Sequence, residues 1–377
     1  MKPVVLSIDD DEREVAPLVP DETLSLRVVD PNSESLPKQL AEWLPKVSLI
    51  LLDQKFNENA DPLSIKASDG SSFVAHLRSW SRRNKTALAP IVLFTNDADS
   101  LKNEIPSVGA AVPLEGSFEG KEHLLSPSLD VEWILYKIAD DAPSKIQQLV
   151  DGFTTTQKAA GKNGLSLEEL ENLLSIPSEK DWTANAKTEL RAARAPISQL
   201  DEQTEDPFGP TQALRWLCHR ALPYPGLVLS DLYAAWALGI SPEALQSIGK
   251  LEATTSWLKE LKNVEYVGPL QNFMGRRWWR AGIDYLVWEL DKETQNQGSR
   301  EKAWEAVAPG ANVSRVYSTS GYVVTWTPEL SEQCIADINI CVQLKPPGWP
   351  AEALEPWILE SDLENNAVLR AMTEFEQ

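Results

Sequence analysis

Acidic and hydroxyl side chains follow three short apolar runs in the N-terminal third of the sequence. The run VVLSI, at residues 4–8, precedes Asp9 and Asp10, and the run LILL ends at Asp53. A third run, IVLF, ends at Thr95. Apolar runs of this length are typical of strands buried in a parallel sheet, where functional groups gather at the carboxyl ends of the strands. The sequence therefore predicts a functional site at that edge of the sheet.

The periodicity of the surrounding residues predicts the elements that position this site. A β-like segment covers residues 24–29, and apolar residues recurring on one face predict helices over residues 36–44 and about 71–83. A weaker β-like segment follows at residues 109–114, and a last helix is predicted over residues 131–138. This alternation predicts a doubly wound α/β domain over residues 1–140.

Taken together, these motifs resemble the receiver domain of bacterial response regulators. The resemblance rests on the pair Asp9 and Asp10 after the first strand, on LILLD ending at Asp53, and on PIVLFT ending at Thr95. The stretch DGSSF, which begins at Asp69, is similar to the family's segment between the phosphoacceptor and the fourth strand. The order and spacing of these motifs carry the resemblance, which covers residues 1–140 and implies a receiver-like fold.

The resemblance implies a phosphoryl-transfer site centred on Asp53. In this interpretation Asp53 accepts the phosphoryl group, and Asp9, Asp10 and Asp53 hold Mg²⁺, a hard cation that prefers carboxylate oxygens. Thr95 hydrogen-bonds a phosphoryl oxygen. Catalysis then consists of positioning and electrostatic stabilisation. The alternative is that the three aspartates are strand-end carboxylates that only cap loops.

One departure from the family concerns a lysine. Family members carry a lysine at the end of the fifth strand, just before a proline, whereas Val112 precedes Pro113 in the segment that we assign to that strand. Lys55 lies two residues after Asp53 and offers a possible pocket charge. Its ammonium would either replace the metal, which would make a degenerate pseudo-receiver, or point to solvent as most lysines do.

The rest of the chain resembles no family that we recognise. Residues 141–207 are predicted to be a helical connector that ends in an acidic linker, and residues 208–377 a C-terminal domain of helices followed by strands. The fold class is therefore an α/β receiver-like domain, then a mainly helical region and a C-terminal α+β region. Ser166, with Glu169 three residues later, has the pattern of a helix capping box.

A basic cluster stands out in the acidic C-terminal region. Arg276, Arg277 and Arg280 surround two tryptophans, one of them Trp279, in a stretch predicted to be helical. Arginines beside tryptophan faces can form an anion site or a site for an acidic partner. The alternative is intramolecular, with the arginines paired to nearby carboxylates and the tryptophans in the core.

Composition limits the function classes. The formal net charge of −21 argues against binding to nucleic acid or to an anionic membrane, because both require a basic surface. The sequence has no apolar run of membrane-spanning length and no signal-peptide pattern, so we expect a cytoplasmic protein. Three cysteines (Cys218, Cys334 and Cys341) form no CxxC pair and are expected to be reduced.

These features predict a bacterial signalling or regulatory protein. The receiver-like domain would control or scaffold a C-terminal protein-interaction domain, with a histidine kinase or a larger signalling assembly as partner. Enzymatic activity would be limited to self-phosphorylation and dephosphorylation at Asp53. One alternative is a structural adaptor subunit with a degenerate receiver. Another is an enzyme whose site lies near Arg276, Arg277 and Arg280.

Overall fold

The computed structural model describes residues 2–56, 69–96, 122–160, 164–195, 209–313, 319–328, 330–364 and 366–373. They form two compact units. The first unit contains the described residues up to 173 together with 209–219, and the second contains 174–195 together with the described residues from 220 onward. Among the described residues, no helix combines the length and the apolar character needed to cross a membrane.

The strands are β1 (Val4–Ile8), β2 (Ser25–Val29), β3 (Leu49–Leu52), β4 (Ile91–Thr95), β5 (Trp133–Tyr136), β6 (Val228–Ser230), β7 (Arg277–Trp279), β8 (Tyr322–Trp326), β9 (Glu332–Asp337), β10 (Cys341–Gln343) and β11 (Trp357–Leu359). The helices are α1 (Glu12–Val15), α2 (Leu36–Trp43), α3 (Gly70–Asn84), α4 (Glu122–Leu125), α5 (Ala142–Ala159), α6 (Leu167–Leu173), α7 (Thr183–Ala192), α8 (Pro210–Trp216), α9 (Asp231–Leu238), α10 (Pro242–Gly249), α11 (Ser256–Asn263), α12 (Arg280–Gln297), α13 (Arg300–Val307), α14 (Glu360–Leu363) and α15 (Ala367–Ala371).

A parallel five-stranded sheet forms the centre of the first unit. The strand order is β2-β1-β3-β4-β5, and every pair is parallel. All residues of β3 and β4 are buried, as expected for strands covered by helices on both faces. The strand order reverses between β1 and β3, which makes the carboxyl ends of these two strands the switch point where such sheets bind ligands. The predicted parallel α/β fold of this region is confirmed, and the sheet is consistent with a receiver-like domain.

The fifth strand corrects one prediction. Residues 131–138 were expected to form a helix, but residues 133–136 form β5, which pairs with β4 from Val92↔Trp133 to Thr95↔Tyr136. An apolar run this short has no periodicity that separates a strand from a helix. The segment 109–114, which the sequence suggested as a strand, lies outside the described residues.

Local capping fixes two helices of the first unit. The Asp69 carboxylate accepts a hydrogen bond from the Ser72 backbone N–H and starts α3. Ser166 and Glu169 form the predicted reciprocal capping box at α6, because the Glu169 carboxylate accepts from the Ser166 N–H and the Ser166 hydroxyl accepts from the Glu169 N–H.

Helix α8 belongs to the first unit although it follows residues 196–208, which lie outside the described part. It packs on α5, and the Thr211 hydroxyl donates to the Leu88 carbonyl at 2.6 Å. A buried ionic cluster also holds it. Glu132, fully buried before β5, accepts hydrogen bonds from Arg78 at 2.8 Å and from Arg215 at 2.7 Å. Asp130 accepts a further bond from Arg215 at 2.6 Å.

His219 lies in the same region and is expected to make the stability of the folded protein sensitive to acid. Its Nε2 donates to the Glu132 carbonyl at 2.9 Å. Burial lowers the pKa of His219 to about 4, so between that value and the ordinary 6.5 the unfolded chain binds a proton that the folded chain does not. Stability from this group is therefore present above pH 6.5 and lost as the pH falls toward 4.

We expect His219→Gln to remove part of this acid sensitivity. Between pH 7 and pH 4.5 the variant should lose on the order of 2 kcal/mol less unfolding free energy than the wild type. Urea denaturation at the two pH values measures the difference. The exposed His76 provides the control variant His76→Gln. An acid-induced loss in His219→Gln equal to that of the wild type would contradict the assignment.

The second unit surrounds helix α12, which packs against α7, α11 and α13. Its sheet has the order β10-β11-β8-β9, and β6 pairs with β7 in a separate antiparallel ribbon. Trp182, Trp278, Trp279 and Trp304 are buried in its core. The stretch around the basic cluster was predicted to be one helix, but residues 277–279 form β7 and the helix begins at Arg280.

Candidate functional site

The carboxyl ends of β1 and β3 bring three predicted site residues together. Asp9 directly follows β1 and Asp53 directly follows β3, and the Asp53 N–H donates to the Ile8 carbonyl at 3.1 Å. Carboxylate oxygens of Asp9, Asp10 and Asp53 all lie within 4.8 Å of one another. Asp9 and Asp53 are buried, whereas Asp10 is exposed. Thr95 ends the neighbouring strand β4 and is also buried.

A residue that the sequence analysis missed completes this pocket. The Lys137 ammonium lies 2.8 Å from Asp9 Oδ2, 3.2 Å from Asp53 Oδ1 and 3.1 Å from Glu14 Oε2. Its side chain is only 5% exposed. Lys137 directly follows β5, and its N–H donates to the Thr95 carbonyl at 3.0 Å. The edge strand β5 therefore delivers an ammonium group into the acidic pocket.

Lys137 also corrects the expectation about Val112. The sequence predicts the fifth strand at residues 109–114, with Val112 at the lysine position, and this segment lies outside the described part of the chain. The strand that pairs with β4 ends instead at Tyr136, with Lys137 next in sequence. The pattern that located Asp9 and Asp53, an apolar run that stops at a charged residue, also occurs in WILYK at residues 133–137.

Lys55 occupies an exposed position after strand β3, directly after Gln54. Its backbone forms an isolated antiparallel bridge with Asp69. The ammonium in salt-bridge contact with the Asp53 carboxylate is that of Lys137.

Burial and charge act in opposite directions on the pocket. Burial raises the pKa of Asp53 to about 6, the Lys137 charge opposes the rise, and the Asp9 charge adds to it. Burial disfavours the charged form of Lys137, but hydrogen bonding to Asp9 and the charges of Asp53 and Asp9 prevail and raise the pKa of this lysine. The pocket thus favours the charged form of its lysine, whereas the pKa of its central aspartate is raised above the usual value.

A second ring of contacts surrounds Lys137. The Asp11 side chain caps α1 by accepting from the Arg13 N–H at 2.9 Å, so the helix starts within a few residues of the end of β1. This short helix carries Glu14, whose Oε2 accepts from Lys137 and also from the Asn96 side-chain amide at 3.1 Å. Glu14 therefore links the lysine to the residue that follows β4.

The start of α3 lies directly against the Asp53 backbone. The Gly70 N–H donates to the Gln54 carbonyl at 2.9 Å. A Cβ added at Gly70 would lie 2.2 Å from the Asp53 carbonyl oxygen, so only glycine permits this approach. The end of β3 and the beginning of α3 therefore fix each other's position.

The donor set fits a hard divalent cation. Three carboxylates converge, two of them buried, and oxygen ligands of this kind suit Mg²⁺. A single ammonium offsets only part of their combined negative charge, which leaves the site attractive to a cation. Asp9, Asp10 and Asp53 are the residues that would hold such an ion.

The basic cluster of the second unit is engaged within the chain. Arg276 donates to both carboxylate oxygens of Asp231, at 2.9 and 3.1 Å, and stacks on Trp278 at 4.7 Å from the ring centroid. Arg277 donates to the Leu222 carbonyl at 2.9 Å. Burial lowers the pKa of Arg277, against the raising effect of the Glu332 and Asp231 charges.

Arg280 and the neighbouring Trp279 are also engaged within the chain. Arg280 lies 4.0 Å from Asp284, and its guanidinium contacts the Glu352 carbonyl at 3.4 Å. Trp279 is completely buried. These contacts favour the intramolecular interpretation of Arg276, Arg277, Arg280 and Trp279 over a partner or anion site.

The sheet order and the buried central strands define a parallel α/β domain, and comparisons with known proteins add no family. No protein-family model matches the sequence, and no curated protein matches it. Two solved structures of the Salmonella typhimurium response regulator RcsB align at 15% and 14% identity, covering 50% of this chain and 76% and 77% of theirs. A fusion that contains a yeast trimeric coiled coil aligns at 13% identity over 51% of this chain and 93% of its own. All three have a TM-score of 0.25, too low to support an inference.

Proposed function

We propose that the first unit is a phosphoacceptor signalling domain. The observation that carries the proposal is the Lys137 ammonium held between Asp9 and Asp53 at the switch point of the sheet. Phosphoryl transfer to a carboxylate requires positive charge around the transferred group, with little other chemistry from the protein. Lys137 supplies a fixed positive charge at the acceptor carboxylate.

In the proposed reaction an Asp53 oxygen attacks the phosphorus of a phosphodonor. The bond from phosphorus to Asp53 forms as the bond to the donor's leaving group breaks. Mg²⁺, when held by Asp9, Asp10 and Asp53, supplies neutralisation of the phosphoryl charge. Lys137 binds a phosphoryl oxygen, and the hydroxyl of Thr95, a buried residue at the end of the neighbouring strand β4, donates to another.

Signal output follows from the same contacts. A phosphoryl group on Asp53 competes with Glu14 for Lys137 and draws Thr95 toward the pocket. Both changes act on the segment at the end of β4, which Asn96 ties to Glu14. The proposed role is regulatory, with a histidine kinase or a larger signalling assembly as partner and the C-terminal region as the output.

The same lysine also favours a second candidate, a degenerate receiver that serves as a structural adaptor. Lys137 already has three carboxylate partners, so the pocket is partly neutralised without phosphate or metal. In that case the surface around the pocket keeps a single conformation and contacts other members of an assembly.

Incubation of the full chain with acetyl phosphate and Mg²⁺ distinguishes the two candidates. For a phosphoacceptor we expect the mass of one phosphoryl group to be added, with complete loss of that addition in Asp53→Asn. The exposed Asp151 on α5 gives the matched control Asp151→Asn, which should retain it. Absence of a mass increase in the wild type would leave the adaptor.

A further inference from the structure

Glu14 contacts Lys137 in the pocket, although the proposed phosphoryl transfer does not require Glu14. An ammonium has three donors, and that of Lys137 lies within salt-bridge distance of three carboxylates, those of Asp9, Asp53 and Glu14. Asp9 and Asp53 belong to the candidate cation site, whereas Glu14 does not. The side chain of Glu14 is 47% exposed, against 2% and 11% for those two aspartates.

Lys137 and a divalent cation compete for Asp9. Its Oδ1 accepts a hydrogen bond from the Asp11 N–H at 2.8 Å, and its Oδ2 faces Lys137 at 2.8 Å. Mg²⁺ needs oxygen ligands at about 2.1 Å. Two cations that close to one carboxylate repel each other strongly, so a bound metal displaces the ammonium from Asp9.

The displaced ammonium needs another anion. The Lys137 side chain is 5% exposed, and a buried charge without a partner is strongly unfavourable. Glu14 already lies 3.1 Å from the ammonium and is not one of the three cation-site residues. The side-chain amide of Asn96 donates to the same Glu14 oxygen and holds it in place.

We propose that Glu14 is a positioning residue that retains the Lys137 ammonium when a divalent cation takes Asp9. Cation binding then shifts Lys137 from Asp9 toward Glu14, and Asn96 couples this shift to the end of β4. The inference rests on the cation site of the proposed function and does not depend on phosphoryl transfer. Removing Glu14 weakens cation binding because the displaced ammonium loses its partner, and removing Lys137 strengthens it because the competitor is gone.

Calorimetric titration of the full chain with Mg²⁺, without a phosphodonor, tests this. We expect Glu14→Gln to weaken binding roughly fivefold or more, the lower end of coupling between interacting sites. Glu12, on the same helix and exposed, provides the control Glu12→Gln, with a change below about twofold because solvent screens such charges. The Lys137→Met variant should bind Mg²⁺ more tightly than the wild type. If Lys137→Met does not fold, Lys137→Gln serves as the variant without the ammonium.

A double-mutant cycle separates positioning from simple charge attraction. If Glu14 acts through Lys137, then Glu14→Gln should have little further effect in the Lys137→Met background. An undiminished effect there, or wild-type affinity in Glu14→Gln alone, would overturn the inference while leaving the phosphoacceptor proposal intact. Absence of Mg²⁺ binding in the wild type would instead remove the cation site from the proposed function, and the inference with it.

Discussion

Replacement of Glu132 by glutamine is expected to lower the free energy of unfolding by about 3–5 kcal/mol, the range for breaking a buried ion pair. The Glu132 carboxylate is fully buried and accepts hydrogen bonds from Arg78, Arg215 and the Ile91 N–H. Glutamine removes the negative charge that compensates both arginines. Its amide group would also direct N–H donors toward guanidinium donors.

Asp130 provides a matched control because it contacts the same two arginines from an exposed position. Its side chain is 53% exposed, and its φ of 57° is a left-handed conformation that asparagine also tolerates. We expect Asp130→Asn to lose about 1 kcal/mol or less, since exposed ion pairs contribute little. Urea denaturation of both variants measures the contrast. Equal losses would show that burial of Glu132 does not determine the strength of the cluster.

Replacement of Gly70 by alanine is expected to destabilise the protein and disturb Asp53 together. Alanine in place of glycine in a helix normally stabilises by about 0.5–1 kcal/mol. Here the new Cβ would lie 2.2 Å from the Asp53 carbonyl oxygen and 3.1 Å from its carbonyl carbon. Backbone atoms of a buried strand end cannot yield, so the start of α3 must move. We expect a loss of about 1–3 kcal/mol, as for other overpacked sites.

Two measurements define the Gly70 experiment. Chemical denaturation gives the change in stability, and Mg²⁺ titration reports on the position of the Asp53 carboxylate. The exposed Ser72, two residues later in α3, gives the control Ser72→Ala. A stabilised Gly70→Ala variant with unchanged Mg²⁺ affinity would mean that the contact between α3 and the end of β3 is readily relieved.

Three strands of the sheet were predictable because each carries two signals at once. The sequences of β1, β3 and β4 are apolar runs. A polar residue stands at the carboxyl end of each, namely Asp9, Asp53 and Thr95. The first signal reports burial on both faces and the second marks the carboxyl end. Helices α2 and α3 were predictable from their apolar stripes.

The fifth strand was not predictable with the same criteria, because it lies further along the chain than residues 109–114, where a fifth strand was predicted. The run WILY follows β4 after a long interval, and its tryptophan and isoleucine, together with Ile138, were assigned to one face of a helix. Only pairing with β4 decides the matter, and pairing is a non-local property. The error about the strand then produced the error about the lysine.

Contacts between distant side chains lay beyond sequence reasoning. Glu14 and Lys137 are 123 positions apart, and Glu132 meets arginines from two different helices. A charged residue in a sequence does not reveal its partner, and each of these residues could equally have faced solvent. The arginines near Trp279 show the same limitation, since their composition fitted both an external anion and internal carboxylates.

Helix α8 has a consequence for how the polypeptide can be divided. The first unit is discontinuous in sequence, because the chain leaves it after residue 173 and returns at 209–219 with Arg215. A fragment cut after the fifth strand, or at any point before α8, would leave Glu132 without one of its two guanidinium partners. The first unit therefore cannot be excised, exchanged or fused as a simple N-terminal domain. The first unit ends at residue 219, and its stability depends on residues that a division of the chain into consecutive domains would assign to a later domain.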